Sequence, residues 1–316
     1  MSRAVEGLKN EALRAALRSA AANPASMGTG RPYDTLAQLL AKSGGLPGLR
    51  PNLTLAAAFG VEVAQLRDRH LTRLLDQLAS EDAAPDDPRA FLPVAAAHGY
   101  AQCLLSEASP VDAESGWRGL QLLAADERAP VRMGACAAFA AFCAHDGNVD
   151  VLIERAQGWL ADEDRELSHG AVASAIEVLT ETRLLGSIRD YAALLAFLSS
   201  VFTTLADARR SASRSAGRRR VLRALPNMLA SLVATSRAAA AGSGDWFRQT
   251  CEESKDPELR SVLSQALQRL ADLRNAPARS LIEELRAALE ASQKPLRDAA
   301  RVRPGTGRGK RSRPLR

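Results

Sequence analysis

Apolar residues recur along this chain at helical spacing. In residues 5–21, Leu8, Leu13, Ala16 and Leu17 fall on one face. A short helix is predicted over 34–42. A long one is predicted over 53–79, with Leu55, Phe59, Val63, Leu66, Leu71 and Leu75 as its stripe and Asn52 as its N-cap. Further helices are predicted near 89–106, 111–125, 130–145, 148–161, 166–182, 188–207, 220–236, 245–254, 257–273 and 277–291. Pro130 suits a first helical turn, where its missing N–H costs nothing. Pro226 should kink its helix or mark its true start. Breakers separate the elements: 23–31, 43–52 with three Gly and two Pro, 83–88, and the small residues of 238–244. No segment alternates apolar and polar positions with β-branched residues for long, so the predicted class is all-α.

The pattern also repeats. Segments beginning at Val94, Val131 and Leu167 each open with an apolar residue and continue in Ala-rich turns, and their starts lie 37 and then 36 residues apart. Asp126 precedes Val131 by five residues, and Asp162 precedes Leu167 by five. A looser copy runs from Lys255 through Asp256, Pro257 and Glu258 to Leu259 and Arg260. A period of this length marks helix pairs that hide their apolar faces only against their neighbours. The expected architecture is a right-handed α-solenoid of stacked antiparallel helix pairs. Val131, Leu167 and Leu259 should be buried at corresponding positions, with Ala135 and Ala171 at close helix contacts. Such a fold offers a surface for binding rather than a pocket for chemistry.

Composition sharpens this. Aromatics are only 4% of the 316 residues while apolar residues are 46%, so Ala and Leu must carry the burial. The net charge of +6 conceals a segregation. From Lys294 onward there are nine Lys or Arg and one acid, and residues 208–223 hold seven Arg and no acid. The remainder is acidic, about −9. The chain therefore divides into a helical cap or divergent start at 1–82, a repeat array at 83–292 carrying a basic insert at 208–220, and a basic tail at 293–316. The insert is expected to be an exposed loop, and residues after Arg303 are expected to be disordered. Five Lys against 37 Arg looks like genomic base bias rather than selection for bidentate recognition.

The repeat units resemble HEAT repeats of the armadillo-like α-solenoid group. The residues that carry the resemblance are Asp126 with Val131, Arg132 and Ala135, and Asp256 with Leu259 and Arg260. The unit at Asp162, Leu167 and Ala171 keeps the acid and the apolar residue but lacks the Arg. The resemblance spans 89–292 with interruptions. It implies that the second helix of each pair lines an inner surface and that Asp and Arg ladder adjacent units. It implies a scaffold or adaptor and leaves the partner open.

Candidate chemistry is sparse. No Gly-x-Ser-x-Gly elbow occurs. His98 and His169 hold near-equivalent repeat positions, where packing explains them, and His145 suits a helix end. Cys103, Cys136, Cys143 and Cys251 lie in Ala/Leu-rich helices as small hydrophobes, with no metal-ligand spacing. Gly305 to Lys310 has neither the spacing nor the flanking strand and helix of a phosphate loop. No catalytic residue, cofactor or metal is expected.

The functional signal is basic: Arg209, Arg210, Arg214, Arg218, Arg219 and Arg220 in the insert, and Arg308, Lys310, Arg311 and Arg313 in the tail, as sites for an anion or an acidic partner. Three readings follow. The first is a non-enzymatic scaffold or adaptor with a protein partner. The second is a nucleic-acid-binding solenoid gripping phosphates through insert and tail. The third is a HEAT-like DNA glycosylase for alkylated bases, a class that uses concave-face Trp with an Asp and an Arg. Trp117, Trp159 and Trp246 are present, but no active-site motif matches residue by residue. No apolar run of membrane length and no leader-like segment occur, so a cytoplasmic protein without a membrane partner is expected.

Overall fold

The computed structural model describes residues 2–22, 31–162, 164–207, 215–273, 277 and 279–292. Sixteen α-helices and no strand occur among them, and the fold is an all-α solenoid. In order they are α1 Ser2–Ala22, α2 Arg31–Ser43, α3 Leu53–Gln65, α4 Leu71–Ala79, α5 Phe91–Leu105, α6 Ala113–Ala125, α7 Ala129–Cys143 and α8 Asn148–Trp159. They continue as α9 Arg165–Leu179, α10 Thr182–Ser187, α11 Tyr191–Ala206, α12 Ala216–Ala234, α13 Ser236–Ala240, α14 Ser243–Glu253, α15 Pro257–Asp272 and α16 Arg279–Ala291.

The helix starts follow from short polar side chains that satisfy otherwise orphaned N–H groups. The carboxylate of Asp164 accepts from the N–H groups of Glu166 and Leu167, and Asp256 does the same for Glu258 and Leu259. Asn52 accepts from Leu55 N–H at 3.1 Å, and Asp112 accepts from Ser115 N–H at 2.9 Å. These acids also place negative charge at the positive end of each helix dipole.

α3, α5, α7, α9, α12 and α15 pack side by side in that order and form one layer. α6, α8, α11, α14 and α16 cover it as a second layer. The first layer is densely apolar: twelve of the fifteen residues of α5 are buried. Small residues allow the close stacking. A Cβ on Gly60 of α3 would lie 2.6 Å from the carbonyl oxygen of His98 in α5. One on Gly217 of α12 would lie 2.8 Å from the carbonyl oxygen of Glu166 in α9. Val131, Ala135, Ala171 and Leu259 are buried, whereas Leu167 is half-buried at the edge of a groove. One continuous apolar core runs from Leu13 to Leu289 and crosses the 82/83 boundary without a gap.

Three expectations need correction. The single helix predicted over 53–79 is two, because Asp68 Oδ1 captures the N–H of His70 at 2.8 Å and Leu66 turns extended. The two halves serve different neighbours, α3 packing chiefly on α5 and α4 on both α5 and α6. Pro226 neither starts nor ends its helix but lies inside α12. The basic insert is shorter than expected. Ser215 Oγ accepts from the N–H of Arg218 at 3.0 Å and starts α12, so Arg218, Arg219 and Arg220 are helical.

Candidate functional site

The N-terminal half of α12 stands against the starts of α7 and α9. Gly217 makes this contact possible, and its N–H donates to Glu166 Oε1 at 2.6 Å. The arginines that follow are distributed by helical geometry. Arg218, three residues before Val221 and seven before Leu225, shares their buried stripe. Its side chain is only 3% exposed and pairs with Glu258 Oε2 at 2.5 Å. Arg220 reaches across the stack. It donates to the carbonyl oxygens of Ala124 and Gly170, both at 3.1 Å, and to Ser174 Oγ at 2.8 Å, with Glu177 3.6 Å away. Burial lowers the pKa of its guanidinium, and Glu177 opposes that shift. Arg219 and Arg223, four residues apart on the other face, are exposed and make no ion pair among the described residues.

These side chains line a groove. Its outer part, about 890 Å³, lies among the turns before α7 and α9 and the start of α12. Asp82, Asp126, Glu127, Asp164 and Glu166 line it on one side of the balance, and Arg128, Arg132, Arg219, Arg220 and Arg223 on the other. Several of these charges are already committed. Arg128 forms a two-point pair with Asp126 at 2.9 and 2.7 Å and donates to the carbonyls of Glu81 and Ala83. Arg132 donates through one nitrogen to the carbonyls of Asp126 and Glu127. The inner part, about 450 Å³, is lined by Arg132, Arg220, Arg223 and a single acid, Glu177, together with Leu53, Ala129, Met133 and Cys136. The two parts share Arg132, Arg220 and Arg223. Leu122 in the outer part is 50% exposed and Met133 in the inner part 36%, large apolar side chains left open to solvent.

The inter-unit ladder implied by the HEAT resemblance is present only in part. Asp162 accepts from Gln121 and Arg118 of the preceding unit at 3.1 and 3.4 Å. Arg189 pairs with Asp146, and Arg155 pairs with Glu114 at 2.7 Å, each about one repeat away. At the two turns that carry the resemblance the arginines take carbonyls instead: Arg132 those of Asp126 and Glu127, and Arg260 those of Ser254 and Leu289. Such contacts satisfy orphan acceptors at helix ends.

The groove holds little for catalysis. Burial pushes the Cys136 thiol up to about 12, and Glu177 adds to the shift, so the sulfur is held as a thiol. His98 and His169 are buried under the helices, and His145 is exposed beyond the end of α7. Trp117 and Trp159 are packed with Phe139 and Phe142 in the core, with ring centroids 5.1–6.4 Å apart, and neither indole lines the groove. Trp246 donates to Ser199 Oγ at 2.8 Å. Among the described residues, no group of three His, Cys, Asp or Glu is placed to hold a metal. No helix there is long and apolar enough to cross a membrane.

Of the arginines singled out from the sequence, the structure thus brings Arg219 and Arg220 into one groove and turns Arg218 into the core. Arg209, Arg210, Arg214, Arg308, Lys310, Arg311 and Arg313 lie outside the described residues, as do residues 208–214 of the loop expected over 208–220 and the tail expected to be disordered. Sequence reasoning missed Arg223, Arg132, Leu122 and Met133. For Arg223 a signal existed, since it stands one helical turn after Arg219 on the same face.

No protein-family model matches the chain, and no curated protein matches it significantly. Among solved structures, the chain is similar to a designed armadillo repeat protein, YIII(Dq)4CqI, at 17% identity and a TM-score of 0.35, over 89% of this chain and 99% of that one. A likeness this loose carries no argument about a site. The solenoid rests on the two helix layers themselves.

Proposed function

We propose that the chain is a non-enzymatic, HEAT-like solenoid adaptor that holds a protein partner in the groove between α7, α9 and α12. The observation that supports this reading is the groove's make-up. Exposed Leu122 and Met133 sit beside cations, Arg219 and Arg223, that no acid among the described residues neutralises. Exposed apolar side chains rimmed by charge are a common signature of a protein interface. In this reading residues 1–82 cap the array. Leu53 at the start of α3 walls the inner groove, and Arg14 of α1 holds Glu62 of α3 through Nε at 2.6 Å.

The test is co-purification with the full chain from its native cell, repeated with Leu122→Arg and Met133→Arg. A partner lost from both variants, with unchanged melting, supports the reading. A partner retained by both removes the groove from consideration.

A further inference from the structure

The balance of charge within the groove narrows what kind of segment it takes, if the adaptor reading above holds. The inner groove sets Arg132, Arg220 and Arg223 against one acid, Glu177, and its other lining side chains are apolar or a thiol. Glu177 is already drawn to Arg220 at 3.6 Å. Arg223 is uncommitted there, and Arg132 uses only one of its terminal nitrogens on carbonyls. A guanidinium with free N–H groups beside an apolar wall suits a carboxylate next to an apolar side chain. Arg219 offers a second such point in the outer groove, near Leu122.

We propose that the groove takes an extended acidic segment of a partner polypeptide. Its carboxylates meet Arg219, Arg223 and the free edge of Arg132, and its apolar side chains rest on Met133, Leu53 and Leu122. Charge spacing favours a polypeptide over a nucleic acid. A nucleic-acid strand carries a charge on every nucleotide, and its backbone would meet Asp82, Glu127, Asp164 and Glu166 as often as the arginines. No aromatic ring lines either part to stack a base. A polypeptide can place its acids where the arginines are and neutral residues where the acids are.

The experiment selects a random linear peptide library on the full-length chain and measures the enriched peptides by fluorescence anisotropy. The variants are Arg219→Glu with Arg223→Glu, the milder Arg219→Gln with Arg223→Gln, and Met133→Ser. Both arginines are exposed, and thermal melting confirms that the variants fold. Enriched peptides are expected to combine Asp or Glu with Leu, Ile, Phe or Met. They should lose about tenfold or more in affinity to the charge-reversed variant, less to the Gln variant, and several-fold to Met133→Ser.

Selection of basic or uncharged peptides that still depend on Met133 overturns the acidic occupant and leaves the groove as a docking site. Peptides indifferent to all three variants overturn both readings. Retained acidic binding of that kind maps instead to arginines these variants leave intact, such as Arg209, Arg210, Arg214 and those of the tail. Random duplex DNA that displaces the selected peptides and itself depends on Arg219 and Arg223 would assign the groove to nucleic acid and also sink the proposal.

Discussion

The first turns of α12 carry four arginines and use them in two opposite ways. Arg218 and Arg220 leave the helix on opposite sides and are both committed: Arg218 to Glu258 and the carbonyl of Leu205 in the core, Arg220 across the groove floor to the carbonyls of Ala124 and Gly170, with Glu177 beside it. Arg219 and Arg223 face the groove and remain exposed. An arginine-rich stretch is therefore not one functional unit. Helical phase turns Arg218 into the core, acceptors within reach commit Arg220, and Arg219 and Arg223 remain for a partner. A guanidinium tolerates burial at a crowded helix junction because its forked N–H groups can reach an acid and a carbonyl at once, as the terminal nitrogens of Arg218 do.

The sharpest break in this comparison comes from Glu258. Glu258→Gln leaves the Arg218 guanidinium buried without its counter-charge and should cost about 3 kcal/mol in urea unfolding, the low end for breaking a buried pair because Glu258 itself is 56% exposed. Arg218→Met, which removes the buried charge itself, should cost less. A smaller loss for Glu258→Gln than for Arg218→Met would show that the cation is satisfied by other acceptors.

Acid should attack the packed side next. Burial, and then Arg165, hold the His169 pKa below its usual 6.5, and its Cβ would touch a Cβ placed on Gly217 of α12. Burial lowers His98 in α5 to about 4. An unfolded histidine takes its proton near 6.5, so between 6.5 and about 4 the unfolded chain binds more protons than the folded one. Stability must fall as pH drops through that window, by about 3 kcal/mol from His98 at the acid end. Melting temperature followed from pH 7 downward should decline. His98→Gln should flatten the decline, and an unchanged slope would mean the ring finds a partner once charged.

Arg220→Ala strips donors from Ala124, Gly170 and Ser174 and should cost about 1–3 kcal/mol. The smallest effect belongs to the uncommitted pair: Arg219→Ala with Arg223→Ala should stay within about 0.5 kcal/mol of the parent. A loss as large as that of Arg220→Ala would erase the distinction between committed and uncommitted arginines.

Much of the fold is legible in the sequence because its cues are local. The acidic turns of the repeat mark helix starts, although the capping carboxylates are Asp164 and Asp256, three residues before the apolar position, and not Asp126 and Asp162, five before it. Val131, Ala135 and Ala171 occupy buried positions of a helix stripe. The 53–79 segment misled because its apolar stripe continues through a turn that one carboxylate, Asp68, creates. The insert misled because charge density was read ahead of phase. Arg218 stands in register with Val221, Leu225 and Met228, and that spacing already assigns it to the buried side. The groove was not legible at all. It depends on the stack bringing Leu53 of α3 into the same cavity as Arg223 of α12, a meeting no local pattern encodes.

The reach of Arg220 has a mechanical meaning. A stack of helix pairs behaves as a spring, because each joint yields a little and the yields accumulate along its length. Arg220 spans three rungs at once, from α12 past Gly170 in α9 to Ala124 at the end of α6. Bending that part of the spring means pulling α12 away from two carbonyls, one from α6 and one from α9, that share a single guanidinium nitrogen. That joint is expected to resist bending more than one closed by apolar contacts alone, so the solenoid should flex first where no arginine bridges its helices.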